Sequence, residues 1–309
     1  MKIISVIVTY NRLSKLKKTL EAYDNQITHP YELIVVDNFS NDGTCDYLKQ
    51  WVNCPSKYKK KVKSLKENLG GSGGFYVGEK EAIADGADWV LVADDDAYPN
   101  VDAVDNFEEA ILKHKKEKVA AFCSVVTDIE GKISCNHRRK YKYKFGLIFE
   151  SSDSLQSDYK NQEFDINLFS YVGTLLNVEA MKEVGLCNPD FFIYCDDTEH
   201  SIRMNKFGRI ICDTKVIYVH DSGQDTQNLD KSILMTWREY YGNRNSTYML
   251  KSDNKASMIY SIFYRTTRYL FKYLLEPACL KLFFTAIIDG CIGNLGKHTI
   301  YRPGFSIKK

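Results

Sequence analysis

The sequence lacks several features that would place a chain quickly. Its nine cysteines form no CxxC pair and no metal-finger spacing. With no secretory signal at the N-terminus, that pattern reads as reduced thiols in a cytoplasmic protein, not a disulfide framework. No window reaches the roughly 20 uncharged apolar residues that a spanning helix needs; Arg265, Arg268, Lys272 and Lys281 interrupt the most apolar region. Neither sign of charge dominates, and a net charge of +2 makes no strong field for nucleic acid. No GxGxxG follows the first apolar run, which argues against a dinucleotide-dependent oxidoreductase.

What is present is one abrupt junction. Val90-Leu91-Val92-Ala93 runs straight into Asp94-Asp95-Asp96. The apolar run has the length and branching of a strand buried on both faces. Three adjacent carboxylates cannot follow it inside unpaired, because desolvating such a charge costs several kcal/mol or neutralises the group. They belong where the strand leaves the sheet. Hard divalent cations such as Mg²⁺ or Mn²⁺ suit clustered carboxylate oxygens, and Mg²⁺ commonly bridges a carboxylate and a substrate diphosphate. The structural alternative is a solvated acidic turn.

The flanking chain repeats a strand–helix rhythm. Ile3–Thr9 reads as a central strand, and Leu13, Leu16 and Leu20 keep helical spacing after it. Residues 33–36 form a second buried strand ending at Asp37, followed by a helix with Tyr47, Leu48 and Trp51, and a short edge strand around Val62. Asn68-Leu69-Gly70-Gly71-Ser72-Gly73-Gly74-Phe75 reads as a loop, with a helix from about Tyr76 to Asp85. This is the pattern of an open sheet with crossovers, in which ligands bind beyond the carboxyl ends of the strands. Thr9, Asp37 and Asp94 fall at such ends. A helix over 101–113 and a strand over 119–126 follow. The basic run 137–144 reads as a solvated hairpin or a phosphate contact, and the polar stretch 151–163 as a mobile loop. Residues 169–177 return to strand character. A second acidic cluster, Asp196-Asp197-Thr198-Glu199, opens a helix, whose dipole alone would favour carboxylates there. The strand over 210–219 delivers His220 at its end, as a candidate metal ligand. From Leu229 the spacing is helical, with a basic amphipathic character that suits packing on the first domain, an oligomer interface or an anionic membrane surface.

Val6-Ile7-Val8-Thr9-Tyr10-Asn11-Arg12, Val35-Val36-Asp37-Asn38-Phe39-Ser40, the DXD-like Asp94-Asp95-Asp96 and Asp196-Asp197, in this order over roughly residues 3–250, resemble the inverting family 2 glycosyltransferases of the GT-A fold. Asn68 through Phe75 looks like the glycine-rich stretch of galactofuranosyltransferases and related rhamnosyltransferases, and His220-Asp221 and Tyr241-Gly242-Asn243-Arg244-Asn245 fit the same group. The resemblance implies an α/β fold with an open, mostly parallel nucleotide-binding sheet flanked by helices (1–228) and a helical C-terminal region (229–309). It implies that Thr9, Asn11 and Asp37 hold the nucleotide, and that Asn68, Gly70, Gly71, Asp94 and Asp95 lie against the donor. Asp94, Asp96 and His220 would bind a divalent metal, Mn²⁺ or Mg²⁺; Asp197 would be the general base, with Asp196 beside it where Glu is often found. The implied partners are a nucleotide sugar, UDP-galactofuranose or dTDP-rhamnose, and a glycan or lipid-linked acceptor in surface polysaccharide synthesis, reached from the inner face of the cytoplasmic membrane. A nucleotide-sugar-binding assembly protein without catalysis is the reading from another class.

Overall fold

The computed structural model describes residues 1–223 and 232–309. Strands and helices alternate through its first part: β1 (Ile3–Thr9), α1 (Leu13–Asp24), β2 (Glu32–Asp37), α2 (Thr44–Trp51), β3 (Lys59–Ser64), α3 (Gly70–Ala84) and β4 (Trp89–Asp94). Branched residues dominate β1 and β2 and suit a pleated surface packed on both sides. Every residue of both strands is buried. Along β1, Ile4, Val6 and Val8 face one core cluster while Ile3 and Ile7 face others, as the two-residue period of a strand requires.

β1 pairs in parallel with β2 on one side and β4 on the other, and β3 adds in parallel beyond β2. The chain therefore winds outward from β1, then returns across it to β4. Such a reversal opens a crevice at the carboxyl ends of the two middle strands. Thr9 ends β1 and Asp94 ends β4, with Val8 opposite Asp94 in register.

Past β4 the sheet is mixed. The elements are β5 (Ala97–Pro99), α4 (Ala103–Lys113), β6 (Val119–Thr127), β7 (Arg138–Lys144), β8 (Ile148–Asp153), β9 (Glu163–Ile166), β10 (Leu168–Phe169), β11 (Thr174–Asn177), α5 (Val178–Val184), α6 (Asp196–Phe207) and β12 (Arg209–His220). The large sheet runs β3-β2-β1-β4-β11-β6-β12-β5, with β9 also on β12. β11 is antiparallel to both neighbours. β5 pairs antiparallel with β12 so that Ala97 faces His220, which brings the acidic turn and the histidine to one place.

Three segments depart from the sequence reading. The glycine stretch is not a loop: α3 begins at Gly70 and runs unbroken to Ala84. A Cβ at Gly74 would lie 2.4 Å from Val8 Cγ1 and one at Gly78 2.2 Å from Val6 Cγ1. Close packing on β1 thus overrides the poor helix propensity of glycine. The polar stretch 151–163 is partly regular, with Ser151–Asp153 inside β8, a turn of 3-10 helix at Asp158–Lys160, and Glu163 opening β9. In the C-terminal part, Leu229 and the 228/229 boundary lie outside the described residues. β13 (Ile233–Thr236) is a strand, not a helix, pairing with β14 (Ser306–Lys308). Between them lie α7 (Trp237–Asp253), α8 (Lys255–Tyr273) and α9 (Pro277–Ile292). Thr236 and Glu239 form a capping box that fixes the start of α7.

Candidate active site

The reversal crevice opens into two adjoining cavities of about 320 and 800 Å³. Thr9, Arg12, Asn38, Asn68, Gly70 and Asp95 line the smaller, and His137, Arg139, Tyr171, Asp196, Asp197 and His220 line the larger. Gly71, Phe75, Asp94, Ile193 and Arg238 line both, so the two are halves of one cleft.

The acidic turn is the most charged part. Thr9 Oγ1 donates to Asp95 Oδ2 at 2.7 Å. Arg12 Nη1 donates to Asp96 Oδ2 at 2.8 Å and, more weakly, to Asp95 Oδ1 at 3.4 Å. One guanidinium does not balance three carboxylates. Burial pushes Asp94 up to about 8, with the charge of Asp96 adding to it, and burial pushes Asp95 up to about 6. Asp96 Oδ1 is buried without a hydrogen-bond donor, and His220 Nε2 lies 3.4 Å from it. Ligand atoms of Asp94, Asp96 and His220 lie within 4.8 Å of one another. Two carboxylates and an imidazole around an orphaned oxygen fit a hard or borderline divalent cation.

The start of α3 closes one side of the smaller cavity. Asn38 carries its geometry: Nδ2 donates to Gly70 O at 2.8 Å, and Oδ1 accepts from Leu69 N at 2.8 Å. Asn68 Oδ1 accepts from Gly70 N at 2.7 Å. Gly70 sits at φ +74°, and a Cβ there would lie 1.9 Å from Phe192 O, so only glycine serves. Gly71 has open space on its Cβ side, facing the cleft.

The second acidic cluster lines the same larger cavity as Asp94. Phe192, Tyr194 and Cys195 all have positive φ, between 64° and 67°, so the backbone is contorted just before α6. α7 holds it there. Asn245 Nδ2 donates to Phe191 O, Ile193 O and Tyr194 O at 2.8–3.0 Å, and Arg244 Nη2 donates to Phe191 O at 3.0 Å. The loop presents Asp196 and Asp197 in the first turn of α6. Asp197 Oδ1 accepts from Thr198 N at 2.6 Å and Thr198 Oγ1 at 3.1 Å. Arg139 Nη2 donates to Thr198 Oγ1 at 2.9 Å. Burial, together with the neighbouring Asp197 charge, pushes Asp196 up to about 7. Burial also raises Asp197, against the lowering influence of Arg139.

Two of the expected binding residues sit away from the cavity walls. Asp37 ends β2 and is buried, with Oδ1 accepting from Ser40 N at 3.0 Å. Asn11 ties two loops together: its N donates to Ser40 Oγ at 2.9 Å, and its Oδ1 accepts from Asn41 N at 2.7 Å. Arg12, Asn38, Arg139 and Arg238 also line the cleft, a role the sequence assigns to none of them. For Arg139 a signal existed. In β7 the side chains of Arg139, Tyr141 and Tyr143 turn inward while Lys140, Lys142 and Lys144 are exposed, a strand alternation hidden in a run of charge.

The model of the family "Glycosyl transferase family 2" matches residues 5–185. Galactofuranosyltransferase GlfT1 of Mycolicibacterium smegmatis is 29% identical over 232 residues, covering 72% of each chain. Among solved structures, S. aureus TarS 1–349 in complex with UDP-GlcNAc superposes with a TM-score of 0.59 at 16% identity, covering 94% of this chain and 81% of that one. In a longer TarS structure the match spans only 37% of that chain, with a TM-score of 0.52. The mannosyltransferase PcManGT of Pyrobaculum calidifontis, in complex with GDP-Man and Mn²⁺, gives a TM-score of 0.57 at 16% identity over 94% of this chain and 75% of that one. Because the family match runs through the whole strand–helix half and its acidic turn, the chain belongs to glycosyltransferase family 2, as an enzyme of the GT-A fold.

Proposed function

We propose that the protein is an inverting galactofuranosyltransferase, moving galactofuranose from UDP-galactofuranose to a glycan or lipid-linked oligosaccharide. The observation that carries this reading is that Asp94 and Asp197 line the same 800 Å³ cavity from opposite elements, β4 and α6. The donor sugar rests on the relatedness to GlfT1 and on the glycine-rich start of α3.

In this reading the smaller cavity takes the nucleotide, with Thr9, Arg12, Asn38, Asn68 and Asp95 among its lining residues. Asp37 and Asn11 support it from behind, through the loop around Ser40. The open side of Gly71 and the positive end of the α3 dipole favour the diphosphate at the junction of the two cavities. Asp94, Asp96 and His220 would hold Mn²⁺ or Mg²⁺, with Asp95 keeping Thr9 in place beside them. Such a cation supplies charge stabilisation to the departing diphosphate without a proton. Across the cavity Asp197 takes the proton of the acceptor hydroxyl as its oxygen attacks the anomeric carbon. The bond to the diphosphate breaks on the opposite side, so the anomeric centre inverts. Thr198 and Arg139 orient the base, and Asp196 sets its charge environment.

Product analysis tests the proposal. Incubation with UDP-galactofuranose, an oligosaccharide or lipid-linked acceptor and Mn²⁺ should give a galactofuranosylated product of inverted configuration, and excess chelator should stop its formation. Turnover of dTDP-rhamnose with none of UDP-galactofuranose would reassign the donor. Full activity in chelator would remove the metal role.

A further inference from the structure

The outward side of α8 is apolar where a surface helix is normally charged. At about 3.6 residues per turn, Ile259, Tyr260, Phe263, Tyr264, Leu270 and Phe271 fall on one flank, and all are exposed, Phe263 by 69% and Phe271 by 94%. Leu274 and Leu275 extend the flank into the corner before α9 and are 70% and 89% exposed. On α9, stacked against α8 through Tyr269 and Phe283 at 4.1 Å between ring centres, Phe284, Ile288 and Ile292 are exposed as well. Single exposed apolar side chains need no explanation, but a contiguous set marks an interaction surface.

Charge and shape say which kind. No Asp or Glu occurs from Lys255 through Leu275, while exposed Arg268 and Lys272 border the apolar flank and exposed Lys281 stands on the next helix. Arg268 and Lys272, with Arg265, also line a hollow of about 380 Å³ beside it. Glu239 is the acidic group in that hollow, and its carboxylate is engaged by Thr236. A second copy would set this cationic border against its own like. The most exposed side chains lie at a corner, which a flat rigid partner would meet at one point and a fluid surface would surround. Aromatic rings with a polar tip, such as Tyr260 and Tyr264, suit the boundary between headgroups and acyl chains. No helix among the described residues is long and apolar enough to cross a membrane.

We propose that this face seats the protein on an anionic lipid surface, Phe271, Leu274 and Leu275 entering the acyl boundary and Arg268 and Lys272 meeting the lipid phosphates. The inference does not depend on the donor or on the base. It assigns the outward flank of α8 to lipid, ahead of contact between copies, while α7 packs on the first domain.

Vesicle co-sedimentation of the full chain tests it. The protein should pellet with equimolar phosphatidylglycerol and phosphatidylcholine, and far less with phosphatidylcholine alone or at high salt. Phe271→Ser with Leu275→Ser should lower the partition coefficient about tenfold or more, with the melting temperature unchanged because both side chains are exposed. Arg268→Ala with Lys272→Ala should remove the preference for anionic vesicles. A wild-type protein that stays in the supernatant with anionic vesicles overturns the proposal. So does a Phe271/Leu275 variant that binds as well as wild type. Sedimentation showing a dimer that this variant splits, without vesicle binding, would make the face a contact between copies.

Discussion

Two carboxylates in one helical turn, half-buried together, resist ionising at the same time. Asp196 is pushed up to about 7, and Asp197 is raised with it, so their protons leave as a coupled pair. A general base works only when ionised. Turnover should therefore fall, as pH drops, at a point above the ordinary carboxylate range of about 4. Asp196→Asn deletes the like charge and should move that acid limb to lower pH. Arg139→Ala deletes the favourable charge and should move it upward. A pH–kcat profile of the three proteins reads both shifts, and an acid limb that stays put in both variants would free Asp197 from its assignment. Asp197→Asn should retain donor binding by calorimetry yet lose about 10²–10⁴-fold in kcat; near-normal turnover in the folded variant would disprove the role. At this scale the sequence was most legible where charge met an apolar run. Asp94–Asp96 and Asp196–Asp197 stood out because carboxylates cannot follow a strand or helix into the core unpaired. Asn38 did not stand out, because what distinguishes it is contact with Leu69 and Gly70 from a distant part of the chain, and the alternation that marks Arg139 is masked by the charged run around it.

Most elements of the first half followed from periodicity, α3 and β5 excepted. Buried runs with branched side chains read directly as β1, β2, β4 and β6, and apolar spacing located α1, α2 and α4. The glycine stretch misled because propensity treats glycine as a break, while here Gly74 and Gly78 let α3 lie against Val8 and Val6. The short strands β13 and β14 escaped because each finds its ladder partner in the other, at a distant point of the chain, and packs its side chains on α7 and α9. α7 shows what an element can do that its sequence does not display. Its residues Arg244 and Asn245 are buried; Asn245 Nδ2 and Arg244 Nη2 donate to backbone carbonyls leading to Asp196. Asn245→Ala should lower kcat about 10–100-fold by loosening the base, leave KM for the donor little changed, and cost about 1–3 kcal/mol of stability through unpaired carbonyls. Equal losses in kcat and donor KM would indicate a general structural role instead.

Across the whole molecule, the crevice exists because of winding order, not because of any one segment. The chain leaves β1 in one direction and returns in the other, and β12 then adds His220 beside the acidic turn. The strand–helix alternation announced the crevice, but the antiparallel insertion of β11 and the passage of α7 into the cleft wall were beyond local pattern. The contorted backbone at Phe192, Tyr194 and Cys195 has a consequence for warmth. Each positive φ there costs on the order of 1–3 kcal/mol, met by amide and guanidinium contacts from a separate helix, whereas β1 and β2 are fully buried. That local arrangement should let go at lower temperature than the sheet. Catalytic rate should collapse several degrees below the calorimetric melting point and recover on cooling, and a protein whose activity and heat absorption fade together would show the loop to be no softer than its frame.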